Sequence, residues 1–350
     1  MTAPHVVDIH THVIPPALVD RVRAGAGPDG MRLEPVDGVE WMVHRQGYRY
    51  PLEAAFHDLP TRLRAMDEAG TDAAVVSPAP PLFLYWTDAA TAIDAARLIN
   101  DGIAAMVAQA PDRLAGLATL PMQDPEAAVA ELRRAVEELG LRGAEIGPHI
   151  EGVPLDDPAF RPVLAEAERL GVPLELHPYY VGAADGPLAD FYLTNLQGNP
   201  WQTTLAASRL ILSGALDDVP HLDVVLLHAG GHLPYQIGRL DHGHRVRAEA
   251  AAPAHAPSTY LHRFAYDCLS HDPEVTRWLI ERVGADRVLY GTDVPFDMAG
   301  GSFADQLSAV HDPDVRSAVG AGNALRLFGG FGPDAHRART TATGPTRGTA

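Results

Sequence analysis

Two histidines at the end of the first apolar segment stand where they can bind one ion together. The segment reads Val-Val-Asp-Ile-His-Thr-His, and its histidines are His10 and His12. In an extended chain, residues i and i+2 point to the same side, so both imidazoles can face one point. A lone histidine is more often a core or solvated residue, but a His-x-His pair at a strand end favours a metal site. We therefore predict that both are metal ligands.

Three further polar side chains close later apolar segments. His177 ends Val-Pro-Leu-Glu-Leu-His, His228 ends Val-Val-Leu-Leu-His and Asp293 ends Tyr-Gly-Thr-Asp. Three neutral imidazoles and one carboxylate suit Zn²⁺, with Mn²⁺ as an alternative, so we predict one divalent ion held by His10, His12, His177 and Asp293. Such an ion lowers the pKa of bound water towards about 7. His228 is predicted to be an acid–base group, because the chemistry needs a proton carrier near neutrality, and Asp293 is a second catalytic candidate.

Eight short apolar segments alternate with helical patterns along the chain. Nearly continuous apolar runs are expected of parallel strands covered by helices. Eight such units predict an α/β fold of the (β/α)₈ TIM-barrel type, in which all strands end at the mouth that holds the active site. A doubly wound sheet is the alternative, but no glycine fingerprint follows the first segment. The predicted strands are residues 6–10, 73–77, 114–120, 143–147, 172–177, 222–228, 264–269 and 287–291. The helical patterns are residues 60–69, 91–110, 126–139, 157–170, 203–216 and 273–283.

Two stretches interrupt this alternation. Residues 14–51 are rich in Gly, Pro and polar side chains, with a β-like stretch at 39–44. We predict a small insertion after the first strand, forming a sheet over the mouth of a distorted barrel. Residues 332–350 lack periodicity and are predicted to be a disordered tail. The expected organisation is thus a single metal-dependent barrel domain over residues 1–331, followed by that tail.

Composition excludes several classes of protein and chemistry. The 350 residues carry a formal net charge of −18, which disfavours nucleic acid as a partner. All 27 basic residues are arginines, so no lysine can form a Schiff base or, once carboxylated, bridge two metals. The one cysteine, Cys268, allows no intrachain disulfide. Neither a signal-like start nor a membrane-length apolar run is visible, so we expect a cytoplasmic protein that does not contact membranes.

Four side chains near the predicted mouth are candidates for substrate binding. Arg49 ends the insertion, and Arg239 follows the sixth strand by one helix. A guanidinium holds a carboxylate through two parallel hydrogen bonds, although a solvated surface arginine is the simpler interpretation of either one. Trp86 and Phe296 follow the second and eighth strands. They are predicted to wall a pocket, and packing over the barrel top is the alternative.

Taken in order, these motifs resemble a known family over roughly residues 6–328. The pattern is similar to the amidohydrolase superfamily, and within it to the amidohydrolase-related decarboxylases typified by aminocarboxymuconate semialdehyde decarboxylase. The resemblance implies Zn²⁺ on His10, His12, His177 and Asp293, with His228 beside it. It also implies a homodimer in which Arg239 reaches the neighbouring subunit's site, and a substrate-binding role for Arg49. The matching segments are residues 8–12, 66–72, 120–124, 177–178, 210–214, 228–231, 238–241, 286–293 and 322–324.

The function predicted from these residues is non-oxidative decarboxylation of a small unsaturated or aromatic carboxylic acid. The metal would polarise an oxygen beside the departing carbon, and a protonated His228 or Asp293 would deliver the proton. The alternative is hydrolysis of a lactone or cyclic amide by the same site. A catalytically inactive binding protein is a third interpretation, which the complete set of ligands and base disfavours. Glu145 is the one candidate for bridging a second metal, and we predict a single ion.

Overall fold

Eight parallel strands enclose the interior of the protein. The computed structural model describes residues 4–179 and 186–333, so all but the first two residues of the tail predicted at 332–350 lie outside the described residues, and its disorder stays a prediction. The strands are β1 Val7–Val13, β2 Arg32–Val36, β3 Val39–Val43, β4 Arg49–Pro51, β5 Ala73–Pro78, β6 Leu114–Gly116, β7 Ala144–Ile146, β8 His149–Ile150, β9 Val153–Pro154, β10 Leu174–Leu176, β11 Val224–Leu226, β12 Phe264–Asp267 and β13 Val288–Leu289. The helices are α1 Pro16–Arg23, α2 Ala54–His57, α3 Leu59–Ala69, α4 Ala89–Gln109, α5 Pro125–Glu137, α6 Arg161–Leu170, α7 Asn199–Leu212, α8 Leu233–Val246, α9 Pro273–Val283, α10 Phe303–Gln306, α11 Pro313–Ser317 and α12 Asn323–Phe328.

The barrel strands form a ring with two irregular seams. They pair in the orders β1–β5–β6 and β7–β10–β11–β12–β13, and every pair is parallel. Single bridges join these two sheets, one between Ala118 and Ala144 and one between Thr11 and Val294. At the second seam the His12 N–H also donates a hydrogen bond of 2.8 Å to the Val294 carbonyl. The predicted distorted TIM barrel is thereby confirmed.

Each barrel strand overlaps one of the predicted apolar segments, but most are shorter than the segment. The predicted strand at residues 114–120 is regular only over Leu114–Gly116. Leu117 and Leu120 are nevertheless fully buried. A run of hydrophobic residues indicates burial and not hydrogen bonding between strands. The apolar run therefore continues after the chain has left the sheet.

Aspartates and glycines set the ends of the outer helices. The Asp58 carboxylate accepts a 2.9 Å hydrogen bond from the Thr61 N–H and caps α3, and Asp124 caps α5 in the same way. These bonds satisfy amide groups that have no partner within the helix. Gly70 and Gly171 end α3 and α6 in the left-handed conformation, with φ of 69° and 64°. Only glycine adopts this conformation readily.

The insertion at residues 14–51 contains α1 and a three-stranded antiparallel sheet in the order β2–β3–β4. Strand β3 lies in the predicted β-like stretch. The contacts between this segment and the barrel include a hydrogen bond of 3.1 Å from the Trp86 indole N–H to the Asp29 carboxylate. The sheet carries Arg49 and Tyr50 to the cavity at the barrel mouth.

A bulge in β1 makes its polar side chains Asp8 and His10 face different sides of the strand. The register with β5 shifts between Asp8 and Thr11. Asp8 accepts a 2.5 Å hydrogen bond from the Thr292 hydroxyl and borders a small cavity with Arg62 of α3. His10 is instead fully buried inside the ring. In a regular strand Asp8 and His10 would face the same side, so the bulge is what turns His10 inward.

Apolar packing covers both sides of the barrel strands. On the outside, Ile99 and Ile103 of α4 pack in one cluster with Val76. On the inside, at the N-terminal ends of the strands, Phe328 of α12 packs in a second cluster with Val7. No helix within residues 4–179 and 186–333 combines the length and the hydrophobicity that crossing a membrane requires.

Candidate metal centre and substrate cavity

Four buried side chains meet at the C-terminal ends of the barrel strands. His10 and His12 lie on β1, His177 directly follows β10, and Asp293 follows β13. One potential ligand atom from each residue lies within 4.8 Å of all the others. The sequence predicted this set of four, and the fold brings all of it together at the mouth, where barrel enzymes place their active sites.

The atoms that converge there lack hydrogen-bond partners. Nε2 of His10, His12 and His177 and Oδ1 of Asp293 are all buried and unpaired among the described residues. Asp293 Oδ1 lies 3.0 Å from His12 Nε2 but without hydrogen-bond alignment. Buried polar atoms are almost always paired, so four unpaired atoms around one point are typical of a binding site for an ion. Three imidazole nitrogens and one carboxylate oxygen fit a divalent metal ion.

The opposite ring nitrogens of the same histidines are all held. His10 Nδ1 donates to the buried carboxylate of Asp267 at 2.7 Å, and His177 Nδ1 donates to the Pro178 carbonyl. His12 Nδ1 lies 3.0 Å from the Ser77 hydroxyl, which donates in turn to Glu145. Each Nδ1 therefore carries the proton, and each Nε2 presents a lone pair to the centre. The tautomers are those that metal binding needs.

Burial and nearby charges shift the pKa values of the histidines at this site in different directions. Burial lowers the pKa of His177 well below its usual range, and the neighbouring histidines lower it further, so His177 is neutral. Burial also lowers the pKa of His10, but Asp293 and Asp267 outweigh it and raise the pKa overall. A proton and a metal compete for the same Nε2 atom, and carboxylates that favour the proton favour the metal equally.

His228 lies beside this group of four side chains, which does not include it. Its ring centroid is 5.0 Å from that of His177 and 5.3 Å from that of His10. Burial first, and the charge of His10 second, lower the pKa of His228 to about 4. Its backbone is left-handed, with φ of 57°, as is that of Ala229, with φ of 55°. Non-glycine residues in this region are strained, and they cluster at functional sites.

Sequence reasoning missed Asp267, which ends β12 and is fully buried. It accepts hydrogen bonds from the His10 ring and from the backbone N–H of His228 and Ala229. Burial by itself would raise the pKa of Asp267, but the bond from His10 and the nearby histidines lower it, so it is a carboxylate. A signal was available, because Asp267 is the one charged residue in the seventh apolar segment, residues 264–269.

Glu145 stays outside the ligand set. Its Oε1 accepts from Ser77 and lies 3.8 Å from His12 Nδ1, on the side of the ring that faces away from the centre. Burial raises its pKa to about 7. Glu145 therefore supports His12 from behind, an arrangement that favours the predicted single ion.

A cavity of about 470 Å³ opens above these residues. His177, Asp293, Arg49 and Phe296 all line it, and Arg49 and Phe296 are two of the four side chains predicted to bind substrate. The Phe296 ring lies 5.3 Å from that of His12, and the Arg49 guanidinium lies 4.9 Å from the centre of the Trp41 ring. The aromatic lining consists of Trp41, Tyr48, Tyr50, Phe56, Tyr179, Tyr192 and Phe296.

Two predicted substrate residues do not reach this cavity within the chain. Trp86 stacks behind Tyr48, with ring centroids 6.1 Å apart, and supports the wall instead of forming it. The reason is its bond to Asp29, which points the indole towards the insertion. Arg239 is exposed on α8, and no hydrogen bond or ion pair joins it to another described residue. Its predicted contact with a neighbouring subunit's site stays a prediction.

Comparison with known proteins decides the family. Residues 7–330 match the amidohydrolase family model. The chain belongs to the amidohydrolase family. It is 32% identical over 331 residues to 2-amino-3-carboxymuconate-6-semialdehyde decarboxylase of Dictyostelium discoideum, covering 92% of this chain and 91% of that protein. It is 35% identical over 289 residues to gamma-resorcylate decarboxylase of a Rhizobium species, covering 77% of this chain and 86% of that protein.

A solved structure of dihydroxybenzoic acid decarboxylase from a Polaromonas species is similar throughout. It has a TM-score of 0.77 and 28% identity, covers 94% of this chain and 97% of that chain, and contains manganese with the inhibitor 2-nitroresorcinol. The predictions of an amidohydrolase-superfamily barrel and of a metal-dependent carboxy-lyase are confirmed by these relatives. A divalent metal is supported by the buried ligand set of this amidohydrolase and by the manganese of its relative.

Proposed function

We propose that this amidohydrolase removes CO₂, without oxidation, from a small aromatic or unsaturated carboxylic acid. One observation carries the proposal: four unpaired ligand atoms converge beside His228, directly below a cavity with aromatic walls. The relatives named as aromatic-acid decarboxylases support it. A hydroxybenzoate is the class we favour, because its ring matches the walls and its polar groups match the centre.

The cavity suits such a substrate in size and chemistry. A volume of about 470 Å³ lies within the range of sites for small molecules. Aromatic walls favour edge or offset contacts with a planar ring. Arg49 is the one arginine among the described lining residues, and its planar guanidinium can hold a carboxylate. Thr194, Asn195 and Asn199 supply neutral polar groups for ring hydroxyls.

The reaction needs one proton and no oxidant. The bond between the ring carbon and the carboxylate breaks, CO₂ carries away the carboxyl carbon with both oxygens, and the bonding electron pair remains on the ring carbon. A proton from solvent, accepted first by the neutral His228 imidazole, is delivered to that carbon and forms the new C–H bond. When bound to His10, His12, His177 and Asp293, a divalent ion supplies Lewis-acid polarisation of a substrate oxygen.

For the metal itself, the donor set and the relative favour different ions. Three imidazoles and one carboxylate suit Zn²⁺, the ion predicted from the sequence. The manganese in the Polaromonas decarboxylase supports Mn²⁺. Elemental analysis of protein purified without added metal distinguishes them, and we expect one ion per chain, with Zn²⁺ as the proposed ion and Mn²⁺ as the alternative.

We infer that the active unit is a homodimer, in which Arg239 reaches the partner's cavity. Helices α7 and α8 pack against each other and present large exposed side chains. Tyr235, one turn before Arg239, is 78% exposed, and Trp201 is 50% exposed. Aromatic and arginine side chains are enriched at interfaces between proteins, which supports a second copy as the occupant. A symmetric dimer would use this surface on both subunits.

The proposed reaction is tested by separating CO₂ release from acid release. The metal-loaded protein is incubated with a panel of hydroxybenzoates, unsaturated dicarboxylates and aromatic lactones, and both products are measured. We expect CO₂ from at least one carboxylic acid, and none with His228→Ala protein prepared in parallel. Acid release from a lactone without CO₂ from any acid would refute the decarboxylase and establish the hydrolase alternative.

A further inference from the structure

Asp267 is hydrogen-bonded both to a proposed metal ligand, His10, and to the backbone turn at His228 and Ala229. Its Oδ2 accepts from His10 Nδ1 at 2.7 Å and from the His228 N–H at 3.0 Å. Its Oδ1 accepts from the Ala229 N–H at 2.6 Å and from the Leu269 N–H at 3.3 Å. Both oxygens are thus fully used, and each contributes to holding the turn at His228 and Ala229.

We propose that Asp267 is a positioning residue that couples metal binding by His10 to the placement of His228. The inference rests on the proposed function, since it assigns a role towards the metal site described above. Asp267 touches neither the metal position nor the cavity, and it is fully buried. Its action therefore passes through the two histidines.

The first half of this role concerns the ring of His10. A carboxylate accepts hydrogen bonds but cannot donate them, so Asp267 requires the proton of His10 to sit on Nδ1. Nε2 then has a free lone pair directed at the metal position. A carboxylate behind a ligating histidine fixes the orientation of the ring and increases its basicity as a ligand.

The second half concerns the backbone that presents His228. Two successive non-glycine residues, His228 and Ala229, adopt left-handed conformations with φ of 57° and 55°. Such strain persists only where surrounding contacts impose it. The amide groups of both residues donate to Asp267. The same carboxylate that orients the metal ligand therefore also holds the turn from which His228 extends.

Replacing Asp267 with asparagine isolates this role, because shape and volume are nearly retained. An amide has one accepting oxygen and one donating nitrogen. In one orientation the nitrogen faces His10 Nδ1 and the His228 N–H, and in the other it faces the Ala229 N–H. Neither orientation satisfies all the donors, so either the His10 tautomer or the turn is lost.

The experiment compares Asp267→Asn with the wild type in binding Mn²⁺ and Zn²⁺, by calorimetric titration of the full-length protein freed of metal. We expect metal affinity to fall about 10- to 100-fold, the usual effect of losing a partner behind a ligand. With the strongest substrate from the panel, we also expect kcat to fall and KM to stay near the wild-type value. The control is Thr276→Val, which removes a buried 3.1 Å bond to the Cys268 carbonyl beside Asp267 without touching a histidine of the site.

Three results would overturn the proposal. One is a folded Asp267→Asn protein that binds both metals as the wild type does. Another is an equal loss of affinity in Thr276→Val, since general loosening would then explain the effect. The third uses only wild-type protein: metal should slow hydrogen exchange of the amides of His228 and Ala229, and exchange that is unchanged by metal contradicts the coupling. Failure of the wild type to bind either metal would instead refute the proposed function itself.

Discussion

Gly291 allows the end of β13 to approach the metal ligands closely, and Gly291→Ala tests how rigidly those ligands are packed. A Cβ atom added at Gly291 would lie 2.8 Å from Cβ of His10 and 2.9 Å from Cβ of Asp267. Both distances are below 3.0 Å, the limit under which a neighbour must shift. Gly291 is not left-handed, so alanine meets no backbone penalty there and the whole effect comes from this contact.

The expected magnitude follows from the displacement. Ordinary contact at such a site begins at 3.4 Å, so His10 and Asp267 must each recede by about half an ångström. Overpacking of this kind costs about 1–3 kcal/mol of unfolding free energy. Metal–ligand distances tolerate only about ±0.2 Å, so the affinity for the metal should fall as well, by about 10- to 100-fold.

Two measurements on the same protein check this prediction. Urea unfolding without metal gives the loss of stability, and titration with Mn²⁺ gives the loss of affinity. Gly322→Ala is the control, because a Cβ at this exposed helical position meets only the Ser317 carbonyl oxygen, at an ordinary contact distance of 3.5 Å. It should be neutral or stabilise the protein by up to about 1 kcal/mol. If Gly291→Ala keeps both the stability and the Mn²⁺ affinity of the wild type, His10 and Asp267 are not rigidly packed.

Three further predictions concern the metal ligands, the acid–base residue and the roles of the two subunits. Asp293→Ala should lose the single metal ion per chain measured by elemental analysis, and two ions per chain in the wild type would instead require Glu145 as a bridging ligand. His228→Ala should retain the metal but lose about 10²-fold or more in kcat, and loss of the metal would make His228 a ligand. Arg239→Ala should also be inactive, yet mixing it with His228→Ala should restore activity, because one site of the heterodimer carries neither defect. An inactive mixture, with subunit exchange confirmed, would place the action of Arg239 within its own subunit or remove it from catalysis.

The proposed metal ligands could be predicted from the sequence because, in a barrel, the C-terminal ends of all the strands lie at the same mouth, whatever their order along the chain. His177 and Asp293 are over 100 residues apart, yet each closes an apolar segment, and all barrel strands end at the same mouth. No knowledge of loops or helix angles is needed for that step. The alternation of strand and helix patterns was therefore enough to assemble the ligand set.

The contacts behind the ligands could not be predicted in the same way. Which strand places a carboxylate behind His10 depends on the register between strands and on the bulge after Asp8, and neither leaves a periodic signal. Asp8 and Asp267 are both single aspartates within an apolar segment. Only the fold shows that Asp8 faces Arg62 of the outer layer and that Asp267 faces the site.

Substrate recognition was the least predictable part, since its residues lie on segments positioned by long-range contacts. Arg49 reaches the cavity on the insertion sheet, and the contacts that hold the insertion on the barrel include the bond between Trp86 and Asp29. That same bond withdraws Trp86 from the wall that it was expected to form. Arg239 contributes nothing to the cavity of its own chain. Each protomer thus contains all four proposed ligands and the proposed acid–base residue, His228, whereas in the proposed dimer the second cation for the substrate comes from outside the chain. Under that proposal, loss of the dimer should weaken substrate binding while leaving the metal in place.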